Sequence, residues 1–244
     1  MRIKPAAIPT ATGNPVLKQV TGIDERAVRL PKNDWQRLGC LGASAIADAL
    51  DAAGIRDHCM SPSLRPIQPS IHLAGRAVTL QTVPVVDRPP DAFMRELEVI
   101  DQLQPHDIIV ADARSVECAF WGELLSTAAA ARGAVGAVID GWVRDVATMR
   151  RMGFPVFSRG ASPYDSIGRL DLAATDRPIL CGGVAVRPGD ILVGDDDGIA
   201  VIPAERLNDV LLLAEEKAQG EDRVRHLYAS GRSARDVYRE HAIL

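Results

Sequence analysis

The stretch DGWVRD, residues 140–145, puts Arg144 and Asp145 side by side after the apolar run GAVGAVI. Neighbouring side chains of a strand point to opposite faces, so the two can serve one site only in a loop beyond the strand. A hard divalent cation such as Mg²⁺ takes oxygen ligands, usually including one or two protein carboxylates. An arginine beside it can donate forked hydrogen bonds to a developing oxyanion. Asp145 and Arg144 are therefore candidates for metal binding and oxyanion stabilisation.

The start of a predicted helix, from Glu123 to Arg132 with Gly133 as its stop, is a second candidate. Free backbone N–H groups and the positive end of the helix dipole meet there, so a small carboxylate or phosphate can bind. Gly122 allows a ligand to approach the backbone closely. The alternative is that Glu123 only stabilises its own helix.

The ends of strands and the starts of helices cluster on one side of an open α/β sheet, which can bring Glu123, Arg144 and Asp145 together. From spacing alone, a surface ion pair or a helix cap made by Asp145 is the favoured explanation of the Arg-Asp pair.

Alternating strands and helices must position these residues. Apolar spacing predicts a helix that Ser44 caps and Gly54 ends, one or two strands in 70–86, a helix in 90–104 and a strand in 106–113. The strands VGAVID and FPVFSR then flank the helix VATMRRM, which gives a βαβ succession with right-handed crossovers. Further on, VRPGD predicts a turn between antiparallel strands, and 204–228 a helix. We expect the charged end after it to project as an arm or to complete a subunit interface.

Composition excludes several classes of function. The net charge of −4 and the absence of a basic run argue against binding to nucleic acid or an anionic membrane. No stretch reaches the ~18 apolar residues of a membrane span, so the cytoplasm is the expected location. The four cysteines form no C-x-x-C pair, and we expect reduced thiols, mostly in the core. No nucleotide-binding loop, G-x-S-x-G elbow or H-E-x-x-H motif is present. The acidic run at 195–197 predicts a turn and not a Ca²⁺ loop.

The series GELL, GAVGAVIDGWVRD, MGFPVFSRG and CGGVAVRPGDILVGDDDGIAVIP resembles the RraA-like family, which includes 4-hydroxy-4-methyl-2-oxoglutarate aldolases and regulators of ribonuclease E activity. The resemblance covers about Leu38 to Pro203. Its most specific element is an acidic residue, twenty intervening positions and then Arg-Asp, met here by Glu123, Arg144 and Asp145.

The resemblance implies an α/β fold with a three-layer β/β/α body of the swivelling-domain type at 35–204. An N-terminal arm at 1–34 and a helical C-terminal extension at 205–244 would flank it. It also implies a homotrimer or homohexamer with sites between subunits.

For the site, the resemblance implies that Asp145 binds Mg²⁺ or Mn²⁺ and that Glu123 orients metal-bound water. The amides of Leu124 and Leu125, next to Gly122, would bind a pyruvoyl carboxylate, and Arg144 would contact the keto or enolate oxygen. The metal would act as a Lewis acid that stabilises a pyruvate enolate. We therefore expect a class II pyruvate aldolase or oxaloacetate decarboxylase, with a non-catalytic regulator of ribonuclease activity as the alternative.

The sequence departs from the family pattern at several positions. The family's acid is often Asp, whereas Glu123 is one methylene longer. No Asn stands near Asp91, and SPYDSIGR lacks a Lys, for which Arg169 is a candidate replacement. An acid from a neighbouring subunit's C-terminal segment would fall near Glu221. These differences leave the substrate open.

Overall fold

A computed structural model describes residues 30–87 and 93–243. The predicted N-terminal arm, 1–34, lies almost wholly outside the described residues, and so does the neighbourhood of Asp91. The helices are α1 Lys32–Leu38, α2 Ala43–Ala52, α3 Met94–Asp101, α4 Glu123–Ala131, α5 Val146–Met152, α6 Leu207–Ala229 and α7 Ala234–His241.

The strands form a nine-stranded sheet and a separate two-stranded ribbon. They are β1 Arg65–Pro66, β2 Leu73–Pro84, β3 Asp107–Asp112, β4 Ala119–Trp121, β5 Gly136–Val143, β6 Val156–Ala161, β7 Leu170–Thr175, β8 Ile179–Cys181, β9 Val184–Val186, β10 Ile191–Asp195 and β11 Gly198–Ile202. The order in the large sheet is β1-β6-β5-β3-β2-β10-β11, with β4 added to β5 and β7 to β2.

The centre of the sheet is parallel: β2 pairs with β3, β3 with β5, and β5 with β6. Helices α3, α4 and α5 connect these strands, as the alternating apolar segments predicted. One face of the central strands packs against the three helices, through residues such as Ile109 and Met149. The other face packs against the β8–β9 ribbon, through residues such as Val110 and Val184. These layers confirm the predicted α/β fold.

A third cluster of buried side chains joins α2 and α6 to β10 and β11. Helix α7 then folds back on α6, where Val237 is buried and Ile243 lies against Gly220. The end of the charged C-terminal segment is thus packed on α6, and its projection from the body or its part in a subunit interface stays a prediction. None of the described helices combines the length and the apolar character needed to cross a bilayer.

Three local predictions were wrong. Helix α2 begins at Ala43, and the Asp195 carboxylate accepts a hydrogen bond from the Ala43 amide at 2.8 Å, so Ser44 is not the cap. The strands on either side of VRPGD do not pair with each other, because β9 pairs with β8 while β10 pairs with β11 and β2. Half of the cysteines, Cys40 and Cys59, are exposed, although all four are free thiols.

Candidate functional site

Arg144 and Asp145 occupy the loop between the end of β5 at Val143 and the start of α5 at Val146. The Arg144 amide donates to the Trp121 carbonyl oxygen at 2.9 Å, which fixes this loop against the end of β4. The Nε atom of Arg144 lies 3.7 Å from Oδ2 of Asp145. Because the strand has ended, the two side chains converge.

Asp145 has a left-handed backbone, with φ of 59°. That conformation costs roughly 1–3 kcal/mol in a residue other than glycine, and such strain is often found at functional sites. Asp145 occupies the N-cap position of α5, but its side chain makes no capping hydrogen bond. Its main-chain oxygen accepts from the amides of Thr148 and Met149 instead. The carboxylate is therefore not used as a helix cap.

Gly122 allows the loop between β5 and α5, which carries Arg144 and Asp145, to approach the start of α4. A Cβ atom at position 122 would lie 3.0 Å from Oδ2 of Asp145 and 3.2 Å from Cγ of Arg144. Its φ of −161° is ordinary extended backbone, so the glycine is required for space and not for its conformation. Any larger residue would push the Arg-Asp pair away from the helix start.

The start of α4 presents the amides of Glu123, Leu124 and Leu125 ahead of the first bond along the helix, from the Ser126 amide to the Gly122 carbonyl oxygen. Indole Nε1 of Trp121 donates to Oγ of Ser126 at 2.8 Å, and Ser126 is fully buried. The first turn of α4 is thereby fixed to β4.

Asp165 is a site residue that the sequence did not identify. Its Oδ2 accepts from Nη1 of Arg144 at 2.7 Å, and its Oδ1 accepts from the Ile167 amide at 3.0 Å. Burial raises the pKa of Asp165, but the Ile167 amide and the Arg144 guanidinium lower it more, so the pKa lies below its ordinary value. The only indication of Asp165 in the sequence was an acidic residue in the segment SPYDSIGR, which forms the loop after β6.

Within the described part of the chain, the hydrogen bonds, ion pairs and ring contacts of the other predicted residues do not involve Arg144 or Asp145. Glu123 is the first residue of α4, and its carboxylate accepts from Oγ1 of Thr127 at 3.0 Å. Arg169 is exposed, stacks over the Tyr164 ring at 5.0 Å and donates to the main-chain oxygen of Asp165. Glu221 lies on α6 with Lys217 Nζ 3.8 Å away.

A cavity of about 210 Å³ lies between the start of α4 and the Arg-Asp loop. This volume is below the ~300–1,000 Å³ of pockets for drug-sized ligands, so it suits a small metabolite. Glu123, Arg169 and Glu221 are not among the described residues that line it. Its lining consists of Phe93, Leu97, Ala119, Phe120, Trp121, Gly122, Leu124, Leu125, Arg144, Asp145, Asp165 and Ser166.

The carboxylate oxygens at this cavity suit a hard divalent cation that has only one or two protein ligands. Within the described part of the chain, no cluster of three His, Cys, Asp or Glu side chains is arranged to hold a metal. The Asp145 side chain is 48% exposed at the cavity, so its carboxylate is accessible to an ion. Mg²⁺ commonly binds through one or two carboxylates and keeps water or substrate at its other positions. Asp145 is the residue that could hold such an ion.

The sequence matches the profile of the RraA-like family, described as Aldolase/RraA, over residues 43–201. Protein DlpA of Legionella pneumophila is 34% identical over 203 residues, which are 83% of this chain. The match covers 32% of DlpA, so the chain spans about a third of that relative. A Halalkalibacterium halodurans protein named "Putative 4-hydroxy-4-methyl-2-oxoglutarate aldolase" is 34% identical over 188 residues, 75% of this chain and 81% of that one.

Among solved structures, RraAS2 of Streptomyces coelicolor is similar with a TM-score of 0.72 and 29% identity, over 81% of this chain and 98% of that one. It is described as an unusual member of the RNase ES inhibitor RraA protein family.

Proposed function

The chain belongs to the RraA-like family, and from this premise we propose that it is a divalent-metal-dependent lyase that cleaves a 4-hydroxy-2-keto acid to pyruvate. We propose that the same site decarboxylates oxaloacetate. The observation that carries the proposal is the convergence of Arg144 and Asp145 on the start of α4, where a Cβ atom on Gly122 would lie 3.0 Å from the Asp145 carboxylate. Relatives named as aldolases support lyase chemistry for the family.

In this proposal, the substrate carboxylate binds at the amides of Leu124 and Leu125, where free N–H groups and the helix dipole favour an anion. Arg144 donates to the 2-keto oxygen. Its guanidinium has five N–H donors, and within residues 30–87 and 93–243 its only hydrogen bond to another side chain is the one to Asp165. Donors therefore remain for a ligand while Asp165 holds the group in position.

In the cleavage step, the 4-hydroxyl group gives its proton to a water molecule, the C3–C4 bond breaks, and C4 leaves as a carbonyl compound. The electron pair of that bond passes to C3 and is delocalised onto the C2 oxygen, after which protonation at C3 gives pyruvate. Arg144 stabilises the negative charge on the oxygen. When oxaloacetate loses CO₂ from C3, the electron pair of the broken bond also passes to C3 and onto the C2 oxygen, so the negative charge on that oxygen needs the same stabilisation.

Mg²⁺ or Mn²⁺ bound at Asp145 would supply Lewis-acid polarisation of the 2-keto group. We assign Glu123 the orientation of a water molecule at the start of α4. We also propose a homotrimer or homohexamer that takes a small 2-keto acid, as the family resemblance implies. From the net charge of −4 and the lack of a long apolar run, we propose a cytoplasmic location without nucleic-acid or membrane binding.

The alternative is a protein-binding regulator of ribonuclease activity, which the similarity to RraAS2 favours. A regulator of that kind has no chemical need for the combination of Glu123, Arg144 and Asp145. A pull-down that recovers a stoichiometric ribonuclease or helicase, together with no turnover of keto acids, would favour this alternative.

The lyase is tested by measuring pyruvate release from a panel of 4-hydroxy-2-keto acids and oxaloacetate, with Mg²⁺, Mn²⁺ or EDTA. The proposal expects metal-dependent turnover of at least one compound. Pyruvate release at the same rate in EDTA would rule out a metal-dependent mechanism.

A further inference from the structure

The ladder between β5 and β6 is irregular just before the Arg-Asp pair. Ile139 pairs with Ser158, and Trp142 pairs with Gly160. Two residues of β5, at 140–141, therefore lie opposite one residue of β6, which is a β-bulge of a kind that is rare between parallel strands. Bulges are often found beside functional sites, where they redirect a side chain.

Two charged residues close this bulge. Asp140, its first residue, is fully buried, and its Oδ1 atom accepts from Nε of Arg159, the residue opposite on β6. Its Oδ2 atom accepts from the Gly182 amide at 2.7 Å. Arg159 also donates to Oγ of Ser63 at 2.9 Å. Burying a carboxylate is costly unless it is paired, so the contact between Asp140 and Arg159 favours this register of the two strands.

The second residue of the bulge, Gly141, fits closely against the end of β3. A Cβ atom at this position would lie 2.6 Å from the main-chain oxygen of Ala113. The backbone of β5 can therefore approach β3 here only because the residue is glycine.

The bulge determines where the loops after β5 and β6 meet. Beyond it, the Ser162 amide donates to the Val143 carbonyl oxygen at 3.0 Å, and Nη1 of Arg144 donates to Asp165 at 2.7 Å. One residue of a strand spans about 3.3 Å. A regular ladder would displace Arg144 along β6 by about that distance, which is more than a hydrogen bond tolerates. The direction of the Arg144 guanidinium therefore depends on the bulge.

We propose that Asp140 and Arg159 are positioning residues of the candidate site, because their ion pair holds the bulge and so sets the register at which Arg144 meets Asp165. Neither of the two is among the described residues that line the cavity, so they act through Arg144 and not on a ligand. The inference rests on the proposed lyase for its effect on turnover. The placement of Arg144 can be measured without turnover.

An NMR signal of Arg144 tests the placement on the full chain without any ligand. The Nε–Hε cross-peak of Arg144 is assigned by its loss in Arg144→Lys, and Asp165→Asn gives its position when the ion pair to Asp165 is absent. Arg159→Gln removes the guanidinium that pairs with Asp140. The Arg144 cross-peak of this variant should move from its wild-type position towards its position in Asp165→Asn.

Arg37→Gln is the matched control for Arg159→Gln. The side chains of Arg37 and Arg159 are 26% and 28% exposed, and Arg37 pairs with Glu215 on α6, away from the bulge. The control loses a comparable ion pair, so the Arg144 cross-peak should keep its wild-type position. A cross-peak that stays in place in Arg159→Gln, or that moves equally in Arg37→Gln, would overturn the inference.

A double variant keeps the test decisive if an unpaired charge prevents folding. Asp140→Asn combined with Arg159→Gln removes both charges, so no carboxylate at position 140 is buried without its partner. Because the two residues act as one unit, the Arg144 cross-peak should move as far as it does in Arg159→Gln alone. A wild-type cross-peak in the double variant would contradict the proposal.

Kinetic data separate the inference from the lyase. For a keto acid that the wild type cleaves, kcat of Arg159→Gln should fall at least about tenfold with a smaller change in KM, since a displacement of about 1 Å can cost about 10²-fold. Wild-type kcat in Arg159→Gln would overturn the inference and leave the lyase intact. No cleavage of any keto acid by the wild type would contradict the lyase, and the Arg144 cross-peak then decides the inference.

Discussion

Nη1 of Arg144 donates to Oδ2 of Asp165 over 2.7 Å, which connects the loop after β5 to the loop after β6. Asp165 is itself held by the Ile167 amide, so the ion pair fixes the direction of the guanidinium. Asp165→Asn keeps the size of the side chain but removes its charge. We expect kcat for pyruvate release to fall by about tenfold with a smaller change in KM, since a misdirected donor mainly weakens stabilisation of the transition state.

Asp171→Asn is the control for this change, because Asp171 pairs with Arg95 outside the cavity lining. It should leave kcat unchanged. An Asp165→Asn protein with wild-type kcat would show that the Arg144–Asp165 bond does not position the guanidinium for catalysis.

Gly122→Ala tests the close approach of the Arg-Asp loop to α4. The new Cβ atom would lie 3.0 Å from Oδ2 of Asp145 and 3.2 Å from Cγ of Arg144. Both side chains must move, and we expect kcat/KM to fall by about 10²-fold, because small displacements of positioning groups are costly. Both are side-chain atoms that can shift, so the free energy of unfolding should change by about 1 kcal/mol or less.

Gly160→Ala on β6 is the matched control, because its Cβ atom would make only an ordinary contact with Trp142 at 3.8 Å. Steady-state kinetics and thermal unfolding of both variants check the prediction. Equal losses of activity in the two alanine variants would show that activity does not depend on the space that Gly122 leaves for Arg144 and Asp145.

Ser126→Ala tests the link between β4 and α4. The variant leaves Nε1 of the buried Trp121 without the oxygen that it contacts at 2.8 Å. An unsatisfied buried donor costs about 1–3 kcal/mol, so we expect a loss of that size in the free energy of unfolding, together with a shift in tryptophan emission. Denaturant titration followed by fluorescence measures both. Unchanged stability and emission would mean that the hydrogen bond does not hold the indole.

Stability should depend on pH through Glu215. The Arg37 guanidinium binds both carboxylate oxygens of Glu215, at 2.6 and 2.7 Å, and holds the pKa of Glu215 below its ordinary value. A carboxyl group with a lowered pKa in the folded state stabilises the protein above its unfolded pKa, and this stabilisation disappears as the pH falls through the folded pKa. Glu215→Gln should therefore cost about 1 kcal/mol at pH 7, since the pair is partly exposed, and much less once the pH has fallen from the ordinary pKa of 4.5 through the lowered pKa of the folded state.

Glu216→Gln is the control, because Glu216 is exposed and makes no ion pair with a described residue. Urea titrations at several pH values measure the difference between the two variants. A cost of Glu215→Gln that stays constant from pH 7 to pH 3 would contradict the assignment to this ion pair.

The sequence predicted the parallel centre of the fold because local signals and tertiary packing agree there. Gly133 and Gly153 end α4 and α5 with the left-handed backbone that glycine favours, and β5 ends at Val143, directly before the Arg-Asp pair. Strand β4 was not predicted because its three residues are too few to show a hydrophobic pattern. The pairing of β7 with β2 was not predicted because the two strands are far apart in the sequence. The strands on either side of VRPGD, β9 and β10, likewise pair with other strands and not with each other.

The sequence predicted the local elements around the candidate site, but not the contacts between residues that are distant along the chain. The start of α4 beside Gly122 could be identified from the sequence pattern, because the free amides of a helix start follow from its hydrogen-bond pattern. The roles of Leu124 and Leu125 came from the family resemblance and stay predictions. Asp165 could not be identified, because its role depends on a loop that meets Arg144 only after β6 has paired with β5. The cavity lining has the same origin, since it combines residues of α3, β4 and α4.

The most direct measurement of the central claim is the rate of pyruvate release by the wild-type chain, by Asp145→Ala and by Arg144→Ala, each with Mg²⁺ and with EDTA. Metal-dependent turnover should be present in the wild type, lost in Asp145→Ala, and reduced at least about 10²-fold in Arg144→Ala, which is the effect of removing an oxyanion donor. Both variants alter residues that are 39% and 48% exposed, so they should fold. Wild-type turnover that persists in Asp145→Ala and in EDTA would contradict the account.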